Sequence, residues 1–187
     1  MHISVLLNES IDNLNLDSNK TIVDCTLGYA GHSSEILKRI SNGFLYAFDQ
    51  DNEAISSSQK KLEKIGNNFE IIYSNFCNLK EELSKRKITG IDGILYDLGV
   101  SSPQLDEGER GFSFHQDAKL DMRMNQQQSL SAYEVVNNYS KQQLIDILHK
   151  YGEEKYAKSI AEGIIAARPI NTTLELTEVV KENVPYS

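Results

Sequence analysis

Three acidic residues sit where short apolar runs give out. Asp24 closes Thr-Ile-Val, Asp49 closes Phe-Leu-Tyr-Ala-Phe, and Asp97 closes Gly-Ile-Leu-Tyr. Between the first two lies Gly28-Tyr29-Ala30-Gly31-His32, a small-residue turn that runs straight into a helical pattern. In an open parallel sheet, ligands bind beyond the carboxyl ends of the strands. A glycine turn there admits a ligand close to the backbone, and the helix that follows offers unpaired N–H groups. Asp49 follows Gly31 by 18 residues, a spacing at which one carboxylate can accept both hydroxyls of a ribose. Each feature also has a plain structural reading, since glycine turns are common, Asp49 suits a helix cap and Asp97 suits a loop anchor. In this order along one sheet they point together to a nucleoside-bearing cofactor.

The turn is not the G-x-G-x-x-G that seats a dinucleotide pyrophosphate on a helix N-terminus. Asp24 precedes it, and a carboxylate at that place repels pyrophosphate but suits the amino group of a zwitterionic methionine tail. S-adenosylmethionine is therefore favoured over NAD.

The elements that must position these residues alternate. Thr21–Cys25, Phe44–Phe48, Phe69–Tyr73 and Gly93–Asp97 read as strands. Helical spacing follows the first three: Ile36, Leu37 and Ile40 behind a Ser33 or Ser34 cap, then Glu53 to Ile65, then Leu79–Arg86. Strand and helix in alternation make βαβ units, a parallel sheet and an α/β fold. After Phe114 only helical patterns remain, with Ser140 and Thr172 or Thr173 as caps and Gly152 as a stop. The expected division is a cofactor-binding core over 1–114 and an appended helical region over 115–187.

With 187 residues and 40% hydrophobic content, the chain can bury one good core. No apolar run is long enough to cross a membrane, and the start lacks a basic, cleavable leader, so a cytoplasmic location is expected. Cys25 and Cys77 have no metal-ligand spacing and read as reduced thiols, with no metal site. The net charge of −8 argues against indiscriminate nucleic-acid binding. Residues 119–168 carry seven Lys/Arg against six Asp/Glu, so this segment is +1 and the remainder −9. Arg123, Lys155 and Lys158 are the places to expect phosphate contacts.

The chain resembles the bacterial small-subunit (16S) ribosomal RNA cytosine-N4 methyltransferase family. The resemblance rests on HISVLLNE, DCTLGYAGHS, AFDQD, SNF at 74–76, DGILYDLGVSSPQLDEGERGFSF, LDMRM at 120–124 and YGEEKYAKSIA at 151–161. It implies a Rossmann-like class I methyltransferase sheet with strand order 3-2-1-4, about four strands present and later ones missing. It implies an S-adenosylmethionine-dependent enzyme acting on an exocyclic cytosine amine, with small-subunit ribosomal RNA as partner. Carried over by position, cofactor contacts fall on Ala30, Gly31, His32, Asp49, Phe76, Asp97 and Gln104, and Asp97 is the catalytic candidate. Phe76 would lie by the adenine, with Asp97 and Gln104 near the methionine part. The loop after Asp97 offers fixed acceptors for the amine, Pro103 stiffens it, and Phe112 or Phe114 can stack on a flipped base. Ser-Pro-Gln matches the polar-Pro-Pro-aromatic motif of amino-methyltransferases only loosely.

The family's chains are longer. The sequence therefore leaves two readings: an RNA methyltransferase whose short chain alone transfers weakly, or a truncated cofactor-binding or interaction module without catalysis. An uncovered fourth strand would also invite homo-oligomer pairing.

Overall fold

The structure, a computed structural model, describes residues 4–185 and divides into two compact units, 1–101 and 102–187.

The first unit opens with α1 (Leu7–Asn13) and alternates thereafter: β1 (Thr21–Asp24), α2 (Gly31–Arg39), β2 (Phe44–Asp49), α3 (Asn52–Leu62), β3 (Phe69–Tyr73), α4 (Leu79–Lys85) and β4 (Gly93–Leu95). The strands form one parallel sheet in the order β3-β2-β1-β4, as expected. Both faces are covered, which is why the strands read as continuous apolar runs. Period-two alternation sends Ile22, Leu45 and Ala47 into a core shared with Ile36, Leu37, Ile40 and Leu62 of the helical layer. Val23, Tyr46, Phe48 and Ile72 pack on the opposite face with Leu83.

Three boundaries differ from the sequence reading. The α2 helix starts at Gly31 behind Ala30 in a left-handed conformation (φ 55°), without a side-chain cap. Ser33 and Ser34 lie inside the helix and are buried. The β4 strand ends at Leu95, whose carbonyl accepts the N–H of Cys25. Asp97 therefore lies two residues past the strand, where a side chain takes over the ladder's role. The α1 helix is an addition that the sequence reading did not make.

The second unit holds α5 (Ser102–Asp106), α6 (Ala132–Asn138), α7 (Lys141–Gly152), α8 (Ala157–Ala167) and α9 (Thr173–Glu182). Leu120, Val136, Leu144, Ile160, Ala161, Ile164 and Ile170 form its core. Ser140 and Thr172 each close a capping box, joined to Gln143 and Glu175 respectively. The Gly152 stop shifts by one residue, because Glu153 carries the left-handed turn at the end of α7. The dividing line falls at Ser101/Ser102 rather than after 114. Residues 102–114 bond forward: Arg110 accepts from the Met122 N–H at 3.0 Å and its guanidinium donates to the Arg123 carbonyl at 3.0 Å. Among the described residues no helix is long and apolar enough to cross a membrane.

Candidate cofactor site at the carboxyl edge of the sheet

The turn after β1 is held from both sides. Leu27 N–H donates to the Phe48 carbonyl, which continues the sheet by one residue. Gly28 then adopts φ 47° and Ala30 φ 55°, the left-handed region that glycine enters freely and alanine enters at a cost. The α3 helix secures the turn's carbonyls, with Ser58 Oγ donating to Gly28 O at 2.7 Å and Lys61 Nζ to Tyr29 O at 3.0 Å. The glycine at 31 serves the chain itself. A Cβ built there would come within 1.8 Å of Ser4 Oγ, so the room it leaves is taken by the chain's own first residues.

Asp24 is 1% exposed. It accepts from the Thr26 N–H (3.0 Å), the Thr26 hydroxyl (3.4 Å) and the Ser33 hydroxyl (2.6 Å). Burial pushes its carboxyl above the usual carboxylate range, against those bonds. Asp24 thus supports the turn from beneath, which corrects its assignment as acceptor for a methionine amine.

Asp49 is half-buried, and its carboxyl is also raised, chiefly by burial. Its Oδ2 accepts from Gly28 N–H at 2.8 Å, and its Oδ1 accepts from the N–H groups of Gln50 (2.8 Å) and Asp51 (2.9 Å). A carboxylate has about four acceptor positions, so three backbone donors leave about one, on Oδ2, for an incoming hydroxyl. The cap on α3 is Asp51, which accepts from Glu53 N–H, and not Asp49.

Asp97 lies on the other side of the same turn. Its N–H donates to Thr26 Oγ1 at 2.7 Å, and its carboxylate Oδ2 lies 3.6 Å from His32 Nδ1. The other ring nitrogen of His32 lies 3.1 Å from the Val5 carbonyl, so this buried imidazole joins the chain's beginning to the Asp97 loop. Its side chain therefore faces Asp97. The carboxylate of Asp97 is 43% exposed, ready to meet a ligand. Loops from opposite sheet edges also meet here. Phe76, three residues past β3, packs edge-on against Tyr96, one residue past β4, with ring centroids 5.6 Å apart. Tyr96 in turn hydrogen-bonds the Cys25 thiol, whose pKa burial lifts to about 11. Phe76 remains 36% exposed.

The structure thus brings Ala30, Gly31, His32, Asp49, Phe76 and Asp97 to one edge of the first unit. Gln104 belongs to the second unit, where it is buried in α5. Arg123 is committed within its own loop. It grips Asp121 through Nε and Nη2 at 2.8 and 2.7 Å and donates to the Gln128 carbonyl, which corrects its assignment as a phosphate contact. Lys155 and Lys158 are exposed. Sequence reasoning missed Thr26 and Tyr96. A hydroxyl two residues before the glycine turn was the available signal for the first; nothing marked the second.

A profile of the MraW methylase family matches residues 1–187. The chain is 59% identical over 186 residues to a ribosomal RNA small subunit methyltransferase H of Mycoplasma capricolum. It is 56% identical over 184 residues to the protein of that name from Mycoplasmopsis agalactiae, and 55% over 187 residues to that of Exiguobacterium sibiricum. Each alignment covers 98% of this chain and 60–61% of the relative, so the chain spans about three-fifths of their length. Among solved structures, an rRNA methylase from Streptococcus thermophilus aligns over 63% of this chain and 71% of its own, at 21% identity and a TM-score of 0.45.

Proposed function

The chain belongs to the MraW methylase family, and on that premise we propose that it binds S-adenosylmethionine at the carboxyl edge of its sheet and methylates small-subunit ribosomal RNA at the N4 amine of a cytosine. One observation carries the reading: Asp49 and Asp97 are tied to opposite sides of a single turn, through Gly28 N–H and Thr26 Oγ1. The groups on offer fit the ligand's parts. The ring of Phe76 suits an adenine, the remaining acceptor of Asp49 a ribose hydroxyl, and the exposed carboxylate of Asp97 the cationic methionine portion or the incoming amine. When bound, S-adenosylmethionine supplies an electrophilic methyl group on a sulfonium.

A cytosine N4 lone pair is delocalised into the ring and attacks poorly. A fixed acceptor that takes up an N–H bond of the amine turns the lone pair toward the methyl and receives charge as it develops. Asp97 is the residue we assign to that task, on the support of its exposed carboxylate and its bond to Thr26. Lys155 and Lys158 meet phosphates from the second unit, and the compartment is that of ribosomes, the cytoplasm.

Calorimetric titration with S-adenosylmethionine, with NAD as control, tests the first half. Labelled methyl transfer to small ribosomal subunits, with the product mapped by mass spectrometry, tests the second. Binding of NAD in preference to S-adenosylmethionine, or of neither, refutes the cofactor reading. Binding without transfer favours the cofactor-binding module, and a label on any atom other than cytosine N4 refutes the substrate.

A further inference from the structure

Asp97 sits outside every regular element. The ladder of β4 ends at Leu95, Leu98 is largely exposed, and Gly99 follows at φ 154° with nothing within 4 Å of where a Cβ would stand. A residue so placed would sample many orientations unless side chains fixed it. Two do. The Thr26 hydroxyl accepts the Asp97 N–H at 2.7 Å and itself faces Asp24 Oδ1 at 3.4 Å. Asp24 is fully buried and is held again by Thr26 N–H and Ser33 Oγ. A hydroxyl that donates to a carboxylate has its lone pairs free for an amide, so the buried acid sets the hydroxyl and the hydroxyl sets the Asp97 backbone. His32 acts on the other end of the residue. Its Nε2 faces the Val5 carbonyl at 3.1 Å, which can only accept, so Nε2 carries a hydrogen. That contact orients the ring so that Nδ1 lies 3.6 Å from Asp97 Oδ2, an ion pair when this nitrogen also carries a hydrogen.

From this we infer that Thr26 and His32 are positioning residues for Asp97, one fixing its backbone and the other its carboxylate. The inference rests on the proposed role of Asp97 and adds two residues that act only through it. It explains why a hydroxyl stands between the buried acid and the glycine turn. It also gives His32 a role distinct from touching the cofactor: its side chain is 5% exposed, with Nε2 on the Val5 carbonyl and Nδ1 facing Asp97.

Paired substitutions in the full 187-residue chain separate positioning from bulk. Thr26→Val keeps the shape and removes the acceptor, whereas Thr26→Ser keeps the acceptor. His32→Asn keeps a nitrogen near the Nδ1 position, and His32→Gln keeps one near Nε2. The first readout is hydrogen exchange at the Asp97 amide, followed by NMR, with the buried amides of Val23 and Phe48 as the reference for global opening. Thr26→Val should speed Asp97 exchange about tenfold relative to that reference, and Thr26→Ser should stay within about threefold of the parent. The second readout is the methyl-transfer rate at saturating S-adenosylmethionine. Thr26→Val and His32→Gln should each lower it about tenfold with little change in KM, and Thr26→Ser and His32→Asn should restore most of it.

Unchanged Asp97 exchange in Thr26→Val, or a serine variant as fast as the valine one, overturns the role of Thr26. His32→Asn and His32→Gln behaving alike overturns the role of His32 where the parent transfers methyl. A parent chain that binds no S-adenosylmethionine sinks the cofactor reading instead, and the exchange arm still decides whether Asp97 is held as described. With no transfer by the parent, His32 is read from the carbon-13 shift of the Asp97 carboxyl in its two variants, where the same likeness between them overturns it.

Discussion

Removing the Asp49 carboxylate should loosen the turn on which the site is built. In Asp49→Ala three backbone N–H groups lose their acceptor: Gly28 at 2.8 Å, Gln50 at 2.8 Å and Asp51 at 2.9 Å. Hydrogen bonds to a charged acceptor contribute about 1.5–3 kcal/mol each. Gln50 is half-buried and water replaces part of what its N–H loses, whereas Asp51 is buried. Gly28 N–H belongs to a half-buried turn pinned between α3 and β2. Against these losses stands a gain, because a carboxylate whose pKa burial has raised costs free energy to hold in place. The balance is a destabilisation of about 2–3 kcal/mol. The chain has no tryptophan, so far-ultraviolet circular dichroism in urea is the suitable assay. With a slope of about 2 kcal/mol per molar, the midpoint should fall by about 1–1.5 M. Asp49→Asn, which keeps one acceptor oxygen, should lose about half as much. A midpoint for Asp49→Ala within about 0.3 M of the parent would refute the reasoning. An Asn variant as weak as the Ala variant would show that charge, and not acceptor count, is what the turn needs.

The remaining predictions concern catalysis, pH, backbone strain and association. Asp97→Ala should abolish methyl transfer, by a factor of at least about a hundred, while S-adenosylmethionine affinity measured by calorimetry changes far less; near-normal turnover overturns the assignment. Asp24 and Asp49 have folded-state pKa values raised above the ordinary 3.8, so the folded chain holds their protons longer than the unfolded one. Their contribution to stability therefore falls as pH rises from about 3.8 through the raised values. Urea midpoints measured across that range should show this slope reduced in Asp24→Asn. At Ala30, buried and left-handed, valine should destabilise by about 3 kcal/mol in the same assay, whereas glycine should be nearly neutral. Finally, β4 is an edge strand with Ile94 37% exposed. The chain should self-associate through that edge at high concentration, and Ile94→Lys should shift sedimentation toward the monomer.

The sheet was legible because burial on both faces writes itself into the sequence as unbroken apolar runs. Thr21–Asp24, Phe44–Asp49 and Phe69–Tyr73 lie within a residue of their expected limits. The caps at Ser140 and Thr172 were legible because a hydroxyl three residues before Gln or Glu has one clear use. Ser33 and Ser34 misled for the same reason. The helix begins before them, at a backbone conformation that residue type does not announce; Asp24 claims the Ser33 hydroxyl and the Ala30 carbonyl, one turn back, that of Ser34. The acids could be placed by strand ends, but their facing could not. Whether Asp24 meets a ligand or a buried hydroxyl depends on where Thr26 and Ser33 turn, which no spacing encodes. The extent of β4 was overread because Tyr96 and Asp97 continue a strand-like pattern after their ladder partner has become a side chain.

The seam between the first few residues and Gly31 has a practical consequence for handling the protein. Ser4 fills the space that a side chain at 31 would occupy, and Val5 offers its carbonyl to His32. A purification handle at the amino end would load this seam and the imidazole that faces Asp97. A handle placed after Ser187 would join the other compact unit. Preparations that differ only in which end carries the handle should therefore differ in methyl-transfer rate, and the amino-terminal version should be the slower one.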